Sequence, residues 1–246
     1  MSTDPGRESR RKVTTKSLLE MKQAGDRISA LTAYDFLMAG LIDRAGVDVI
    51  LVGDSVAMVV QGGDTTVTVT MEHMLYHAKL VSLGVERALV VGDLPFMSFQ
   101  VNADEALRNA GRMVKESHVE AVKLEGGEVI CPTVRRLVEV GIPVMGHLGL
   151  TPQSIHKFGS YQVRATTDVE ADEIRRDAVA LQENAGIDIL TDGEWRRASY
   201  IGVIAQLAHG FELGTNPADG RPWTIVVDKL APRNPGFIAA EVRYLK

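Results

Sequence analysis

The sequence predicts an α/β fold of the (β/α)8 TIM-barrel type that is incomplete or atypical in its last two strands. Six short apolar runs alternate with helical patterns along the chain. The runs are almost continuously apolar, which is typical of parallel strands that are covered on both faces. The length of 246 residues suits a single barrel of about 250 residues. No Gly-x-Gly-x-x-Gly turn follows the first strand, so a barrel is favoured over an open doubly wound sheet.

Residues 1–12 are expected to form a flexible N-terminal arm, because they are polar and charged and include proline and glycine. A phosphate-binding cluster formed by the arginines of this arm is an alternative interpretation. The following residues, 13–246, are predicted to form one barrel domain. Its first part is 13–168, and its divergent C-terminal part is 169–246.

Six strand-and-helix units are expected in order after the arm. The predicted strands are 28–34, 47–52, 88–91, 121–125, 142–147 and 187–192. The predicted helices are 36–45, 71–83, 102–117, 129–140 and 169–185. Gly46 is expected to end the first helix, and Asn102 is expected to cap the third. Beyond the sixth strand we expect a helix at about 200–209, a strand at 224–227 and a helix at 237–245, so that seven strands are predicted at most.

Five polar residues end or directly follow predicted strands: Asp54, Asp93, Lys123, Glu125 and His147. In a barrel, the groups that act on a substrate lie at the carboxyl ends of the strands. Three carboxylates that converge there raise one another's pKa unless a cation lies between them. Oxygen ligands suit a hard divalent ion such as Mg²⁺. Lys123 shares a strand face with Glu125 because it stands two residues earlier, and it could neutralise a substrate carboxylate or an enolate oxygen.

Each of these residues also has a structural interpretation. Asp54 could cap the helix that follows it, and Asp93 could be a turn residue. Lys123 and Glu125 could form an ion pair with each other, and His147 could be a structural histidine. The occurrence of carboxylates at three successive strand ends favours a metal site over these alternatives.

The composition excludes several classes of protein. A formal net charge of -5 and a pI of about 5.7 give no general footprint for nucleic acid. No apolar run approaches the ~18 residues of a membrane helix, and no apolar signal core follows the N-terminus. The single cysteine, Cys131, cannot form an internal disulfide. We therefore expect a cytoplasmic protein that binds neither nucleic acid nor membrane.

Several segments resemble ketopantoate hydroxymethyltransferases and occur in the order of that family. They lie within residues 13–166 and include LTAYDFLMAGLIDRAGVDVILVGDS, ALVVGDLPFMSFQ, AVKLEGG, IPVMGHLGLTPQS and GSYQVR. The resemblance implies a homo-oligomeric barrel enzyme of pantothenate biosynthesis. It implies Mg²⁺-dependent transfer of a hydroxymethyl group from 5,10-methylenetetrahydrofolate to 3-methyl-2-oxobutanoate, which gives 2-dehydropantoate. By motif match, the implied metal-site residues are Asp54, Asp93 and Glu125, and the implied substrate contacts are Ser55, Asp93, Lys123 and His147.

The match fails at the end of the sixth strand, where the family is expected to carry a catalytic glutamate in a segment resembling VLECVP. This chain reads ILTDGEWRR there, and Gly193 stands at the position of the glutamate. Asp192 and Glu194 are the candidate catalytic replacements, and a one-residue bulge would bring either carboxylate into position. A simple turn at Asp192 and Gly193 is the alternative.

Residues 170–246 instead resemble cobalamin-independent methionine synthase-like proteins, in segments that include LQENAGIDILTDGEWRRASY, VVDKL and AAEVRYLK. This second resemblance implies a fusion, natural or engineered, near the helix at 169–185. Two other functions therefore stay open beside the hydroxymethyltransferase. One is an impaired recombined barrel that binds metal and keto acid without turnover. The other is a related Mg²⁺-dependent 2-oxo-acid lyase.

Overall fold

The predicted strands pair side by side in a computed structural model, which describes residues 11–162, 164–186, 189–191, 208–215 and 222–232. Six strands form one parallel sheet: β1 (Ala30–Thr32), β2 (Val49–Val52), β3 (Leu89–Asp93), β4 (Ala121–Glu125), β5 (Val144–His147) and β6 (Ile189–Thr191). The strands lie in chain order, as the strands of a barrel do. The predicted α/β fold is confirmed, and the described part of the sheet is open, with β1 and β6 at its edges.

The chain divides into two units, Met1–Gly193 and Glu194–Lys246, and each is described by itself. The boundary between the two units follows Gly193. The sequence analysis instead places the start of the divergent C-terminal part after residue 168. The arm predicted at 1–12 lies almost entirely outside the described residues.

Eight α-helices are described in the first unit, and short side chains cap several of them. They are α1 (Thr15–Ala24), α2 (Phe36–Arg44), α3 (Val56–Val59), α4 (Met71–Gly84), α5 (Ala103–Ser117), α6 (Cys131–Glu139), α7 (Ile155–Phe158) and α8 (Asp168–Val179). Asn102 starts α5 as predicted, because its side chain accepts a hydrogen bond from the backbone N–H of Glu105 at 2.8 Å. The sequence did not predict α1, α3 or α7. None of the described helices is long and apolar enough to cross a membrane.

Alternate residues of the central strands enter two different apolar layers, because a strand has a side-chain period of two. The layer on the helix side of the sheet includes Ile50, Val52, Val90, Val122 and Val144. The layer on the other side, called the inner layer here, consists of Val13, Leu18, Val49, Leu89, Val91, Ala121 and Met145. This burial on both faces is what the continuous apolar runs predict for parallel strands.

The second unit contains an antiparallel pair of strands, β7 (Ala208–Thr215) and β8 (Pro222–Pro232). The strand predicted at 224–227 is confirmed as part of β8. The helix predicted at about 200–209 is wrong at its end, since residues 208 and 209 belong to β7. Pairing with β8 satisfies the backbone there and overrides the local helical pattern. The rest of that predicted helix, and the helix predicted at 237–245, lie outside the described residues.

Candidate active site

The carboxyl edge of the sheet carries a cluster of buried polar side chains. It contains the five predicted residues and one residue from the loop after β5: Asp54, Asp93, Lys123, Glu125, His147 and Gln153. We call this set the strand-end cluster. Asp93 is 2% exposed and Asp54 is 3% exposed. Buried charges are costly unless they are paired and hydrogen-bonded, so their contacts decide what the cluster can do.

Strand periodicity and register explain why these side chains meet. Asp93, Lys123 and His147 each stand two residues after a member of the inner layer, so they share its face of the sheet. Parallel pairing sets Asp93 beside Lys123 and Glu125 beside His147. The face of the sheet that carries the inner layer is therefore apolar along the strands and polar at their carboxyl ends.

Lys123 and Asp93 form a buried ion pair. The ammonium Nζ of Lys123 lies 2.5 Å from Oδ1 of Asp93. Burial by itself would lower the pKa of Lys123, but the carboxylates of Asp93, Glu125 and Asp54 outweigh burial and raise this pKa above its usual value. Lys123 therefore carries a fixed positive charge at the carboxyl edge.

Glu125 is held by two donors, one on β5 and one in the loop that follows β5. Its Oε1 lies 3.0 Å from Nδ1 of His147, and its Oε2 accepts a hydrogen bond from the backbone N–H of Gln153 at 3.0 Å. Burial would raise the pKa of Glu125, but the hydrogen bond and charge of His147, with help from Lys123, lower it. Glu125 is therefore an ionised carboxylate.

Asp54 is the least stabilised charge of the cluster. Its backbone N–H donates to Oδ2 of Asp93 at 3.0 Å, and its own Oδ2 accepts from Nε2 of Gln153 at 2.9 Å. Burial and the neighbouring carboxylates of Asp93 and Glu125 raise the pKa of Asp54 to about 8, although Lys123 opposes them. A cation beside this carboxylate would favour its ionised form.

These contacts decide between the structural alternatives for two residues. The residue that precedes α3 is Ser55, and the side chain of Asp54 bonds to Gln153, so Asp54 is not a helix cap. Lys123 forms its ion pair with Asp93 on the neighbouring strand, and Glu125 pairs with His147. These two pairs replace the alternative Lys123–Glu125 ion pair.

Ser55, the remaining predicted substrate contact, lies beside the cluster and is only partly buried. Its Oγ is 2.7 Å from the hydroxyl of Tyr34, which follows β1. Tyr34 was missed as a candidate, although the rule that selects residues after strand ends would have found it.

The cluster fits a divalent cation by charge and by donor type. With Asp54 ionised, the three carboxylates and one ammonium would leave two negative charges uncompensated, His147 aside. Across the described ranges no three His, Cys, Asp or Glu side chains form a ready-made metal cluster. Mg²⁺ commonly takes only one or two protein carboxylates and completes its shell with water and substrate oxygens. Both oxygens of Asp93 and both oxygens of Glu125 already accept one contact each, whereas Asp54 accepts a hydrogen bond at Oδ2 alone among the described groups. A carboxylate oxygen has a second lone pair, so Asp54 and Asp93 still fit that pattern.

The candidate bases stand just beyond the described end of β6. Thr191, the last residue of β6, is in register with His147. Asp192 and Glu194 themselves lie outside the described residues. The bulge and the turn suggested for this segment therefore stay predictions.

Comparison with known proteins identifies the first unit. A sequence model of the family described as ketopantoate hydroxymethyltransferase matches residues 12–192. The 3-methyl-2-oxobutanoate hydroxymethyltransferase of Chlorobium phaeobacteroides (strain DSM 266) is 55% identical over 184 residues, which are 73% of this chain and 66% of that relative. The Bacteroides thetaiotaomicron enzyme of the same name is 58% identical over 173 residues, which are 70% of this chain and 63% of that relative.

Solved structures show the same fold at low sequence identity. A 2,3-dimethylmalate lyase of the PEP mutase/isocitrate lyase superfamily has a TM-score of 0.50 at 19% identity, over 72% of this chain and 62% of the other. A phosphoenolpyruvate phosphomutase from Streptomyces platensis subsp. rosaceus has a TM-score of 0.52 at 18% identity, over the same shares of the two chains. These likenesses support the barrel-type architecture of the first unit.

The chain spans about two-thirds of the length of the curated relatives it matches, 66% of one and 63% of another. The family match ends at residue 192, close to the boundary between the two units at Gly193. The resemblance of 170–246 to methionine synthase-like proteins, and the fusion it implies, stay predictions. Since the family match covers most of the chain and includes every residue of the strand-end cluster, the chain belongs to the ketopantoate hydroxymethyltransferase family.

Proposed function

We propose that this chain transfers a hydroxymethyl group to C3 of 3-methyl-2-oxobutanoate. The proposed one-carbon donor is 5,10-methylenetetrahydrofolate, and the proposed cofactor is Mg²⁺. A base removes the C3 proton, and the carbanion forms a bond to the methylene carbon. Both bonds from that carbon to the two folate nitrogens break, and the nitrogens take up the C3 proton and one proton of water. Water supplies the hydroxyl oxygen, so the products are 2-dehydropantoate and tetrahydrofolate. We also propose that the chain forms a cytoplasmic homo-oligomer, as the family resemblance implies.

The buried strand-end cluster is the observation that carries this proposal. Asp93, Lys123, Glu125 and His147 share one sheet face and are buried. Lys123 pairs with Asp93, and His147 pairs with Glu125. Two relatives with more than half of their matched residues identical are named as hydroxymethyltransferases that act on this 2-oxo acid. A 2-oxo acid has a carboxylate and a keto oxygen, which a cluster with a fixed ammonium and space for a cation would recognise.

We assign roles by the charges and positions of the side chains. Asp54 and Asp93 are the proposed metal ligands, and Glu125 is the third carboxylate of the metal site. Bound Mg²⁺ would supply positive charge toward the keto acid and so acidify its C3–H bond. Lys123 adds a second positive charge, which favours the developing enolate oxygen. Ser55, Asp93 and His147 complete the proposed contacts to the keto acid.

The proton at C3 still needs a base, and we propose Asp192 or Glu194. The end of β6 supports this choice, because Thr191 is paired in register with His147 of the cluster. The described end of β6 is therefore at the edge of the sheet that carries the cluster. A base must come within about 3 Å of the proton-bearing atom, or act through one water.

Incubation with both substrates and Mg²⁺ tests the proposal. We expect 2-dehydropantoate and tetrahydrofolate in equal amounts, and we expect no product after chelation. The end of the family match at residue 192 favours one alternative, an impaired barrel. That alternative predicts calorimetric binding of the keto acid with no product formed. Cleavage of a carbon–carbon bond in the absence of folate would instead indicate a lyase.

A further inference from the structure

Gln153 makes more contacts within the strand-end cluster than its place in a loop suggests. It belongs to the 3₁₀ turn Pro152–Ser154 after β5 and is 6% exposed. Its Nε2 donates to Oδ2 of Asp54 at 2.9 Å and to the carbonyl oxygen of Leu94 at 3.0 Å. Its backbone N–H donates to Glu125 at 3.0 Å. One residue thus connects the ends of β2, β3 and β4.

The orientation of the Gln153 amide is defined by a second glutamine. Nε2 of Gln100 donates to Oε1 of Gln153 at 3.0 Å. A primary amide has two N–H donors, and both are used by Asp54 and Leu94. If the amide were flipped, its oxygen would face a carboxylate and a carbonyl, and its nitrogen would face the donor of Gln100. The contacts therefore permit one orientation.

We propose that Gln153, oriented by Gln100, is a positioning residue that holds the Asp54 carboxylate for a divalent cation. The inference rests on the proposed function, because that function makes Asp54 a metal ligand. Asp χ2 is a soft torsion, so a carboxylate without a fixed partner samples a broad range of orientations. The bond from Gln153 engages Oδ2, and among the described side chains and backbone groups Oδ1 has no hydrogen-bond partner. Oδ1 is left for the cation.

Metal binding measured without turnover separates this role from that of a simple loop contact. Mn²⁺ alone is titrated calorimetrically into the wild-type chain and into Gln153→Leu and Gln100→Leu. Hydrogen-bond partners of metal ligands typically affect affinity by about 10–100-fold. We expect Gln153→Leu to raise the Kd for Mn²⁺ by about tenfold or more, and Gln100→Leu to raise it by less. Gln23→Leu, an exposed position in α1, is the matched control and is expected to leave the Kd unchanged.

Thermal unfolding in chelator is recorded for each variant, and the titrations are done below every unfolding midpoint. A residue that only holds the loop would lower the midpoint in chelator without changing the Kd, and that result overturns the inference. If Gln153→Leu does not fold, Gln100→Leu decides, because it keeps Gln153 and frees only its amide. If the wild type binds Mn²⁺ and both glutamine variants bind it with the same Kd, the inference is refuted and the proposed metal site is not. Absence of wild-type binding refutes it together with the metal site of the proposed function.

Discussion

Nζ of Lys123 lies 2.5 Å from Oδ1 of Asp93, and the two residues stand side by side in register on β4 and β3. The pair is buried on the inner face of the sheet. Lys123 is the one fixed cation among three buried carboxylates in the described cluster. Its removal should therefore affect both the fold and the chemistry.

Lys123→Met is expected to lower the free energy of unfolding by about 3–5 kcal/mol, because it leaves the Asp93 carboxylate buried without its partner. Chemical denaturation in the presence of chelator measures this change. The matched control is Lys16→Met, since Lys16 is mostly exposed and lies 4.0 Å from Glu20. Exposed pairs contribute about 0–1 kcal/mol. Equal effects of the two substitutions would contradict the buried pair.

The raised pKa of Asp54 predicts a specific pH dependence of stability. This pKa is about 8 in the folded chain and about 4 in the unfolded chain. Between these two pH values, Asp54 keeps its proton in the folded chain and loses it in the unfolded chain. The contribution of protonated Asp54 is therefore fully present below about pH 4 and is lost as the pH rises toward 8, with a slope of up to about 1.4 kcal/mol per pH unit.

Asp54→Asn isolates that contribution. In chelator, we expect the variant to become steadily more stable relative to the wild type between pH 5 and pH 8, as judged from denaturation at each pH. Mg²⁺ should reduce the loss in the wild type, because a cation favours the ionised carboxylate. Parallel pH profiles for the two proteins would show that Asp54 does not hold a proton in this range.

Alanine substitutions at two glycines are expected to change the stability of the chain in opposite directions. A Cβ on Gly84, the last residue of α4, would lie 2.5 Å from the backbone oxygen of Phe36 in α2. Gly84→Ala should therefore destabilise the chain by about 1–3 kcal/mol. A Cβ on Gly111, inside α5, would have no atom within 4 Å. Gly111→Ala should stabilise it by about 0.5–1 kcal/mol. Thermal unfolding of both variants checks the pair, and a stabilising Gly84→Ala would refute the close helix contact.

Single substitutions distinguish between the two candidate bases, Asp192 and Glu194. We expect either Asp192→Asn or Glu194→Gln to reduce product formation by at least about a hundredfold, in line with the usual contribution of a general base. The other substitution should have a much smaller effect. Binding of the keto acid, measured by calorimetry, should survive in both variants. If neither substitution slows the reaction, the base lies elsewhere.

The sequence predicts which residues reach the carboxyl edge but not which of them pair. Asp54, Asp93 and Glu125 were found because each ends or follows an apolar strand, and strand ends of a parallel sheet converge. The choice between Asp93 and Glu125 as the partner of Lys123 depends on strand register, which no local pattern encodes.

The loop residues were harder to predict for a different reason. Gln153 lies in a short 3₁₀ turn, where there is no periodicity to indicate which side chain points inward. Its segment, IPVMGHLGLTPQS, was noted for the family resemblance, but its contacts come from three separate strand ends. Of the hairpin in the second unit, only the strand at 224–227, part of β8, was predicted. The start of β7 follows an apolar stretch with helical spacing and was predicted as the end of a helix.

Proton exchange at C3 of 3-methyl-2-oxobutanoate tests the central claim most directly. The keto acid is incubated in D₂O with the chain and Mg²⁺, without folate, and the loss of the C3 proton signal is followed by NMR. We predict exchange well above the buffer rate, dependent on Mg²⁺ and strongly reduced by Lys123→Met. Exchange no faster than in buffer would contradict the account, because the strand-end cluster would then not activate the C3–H bond.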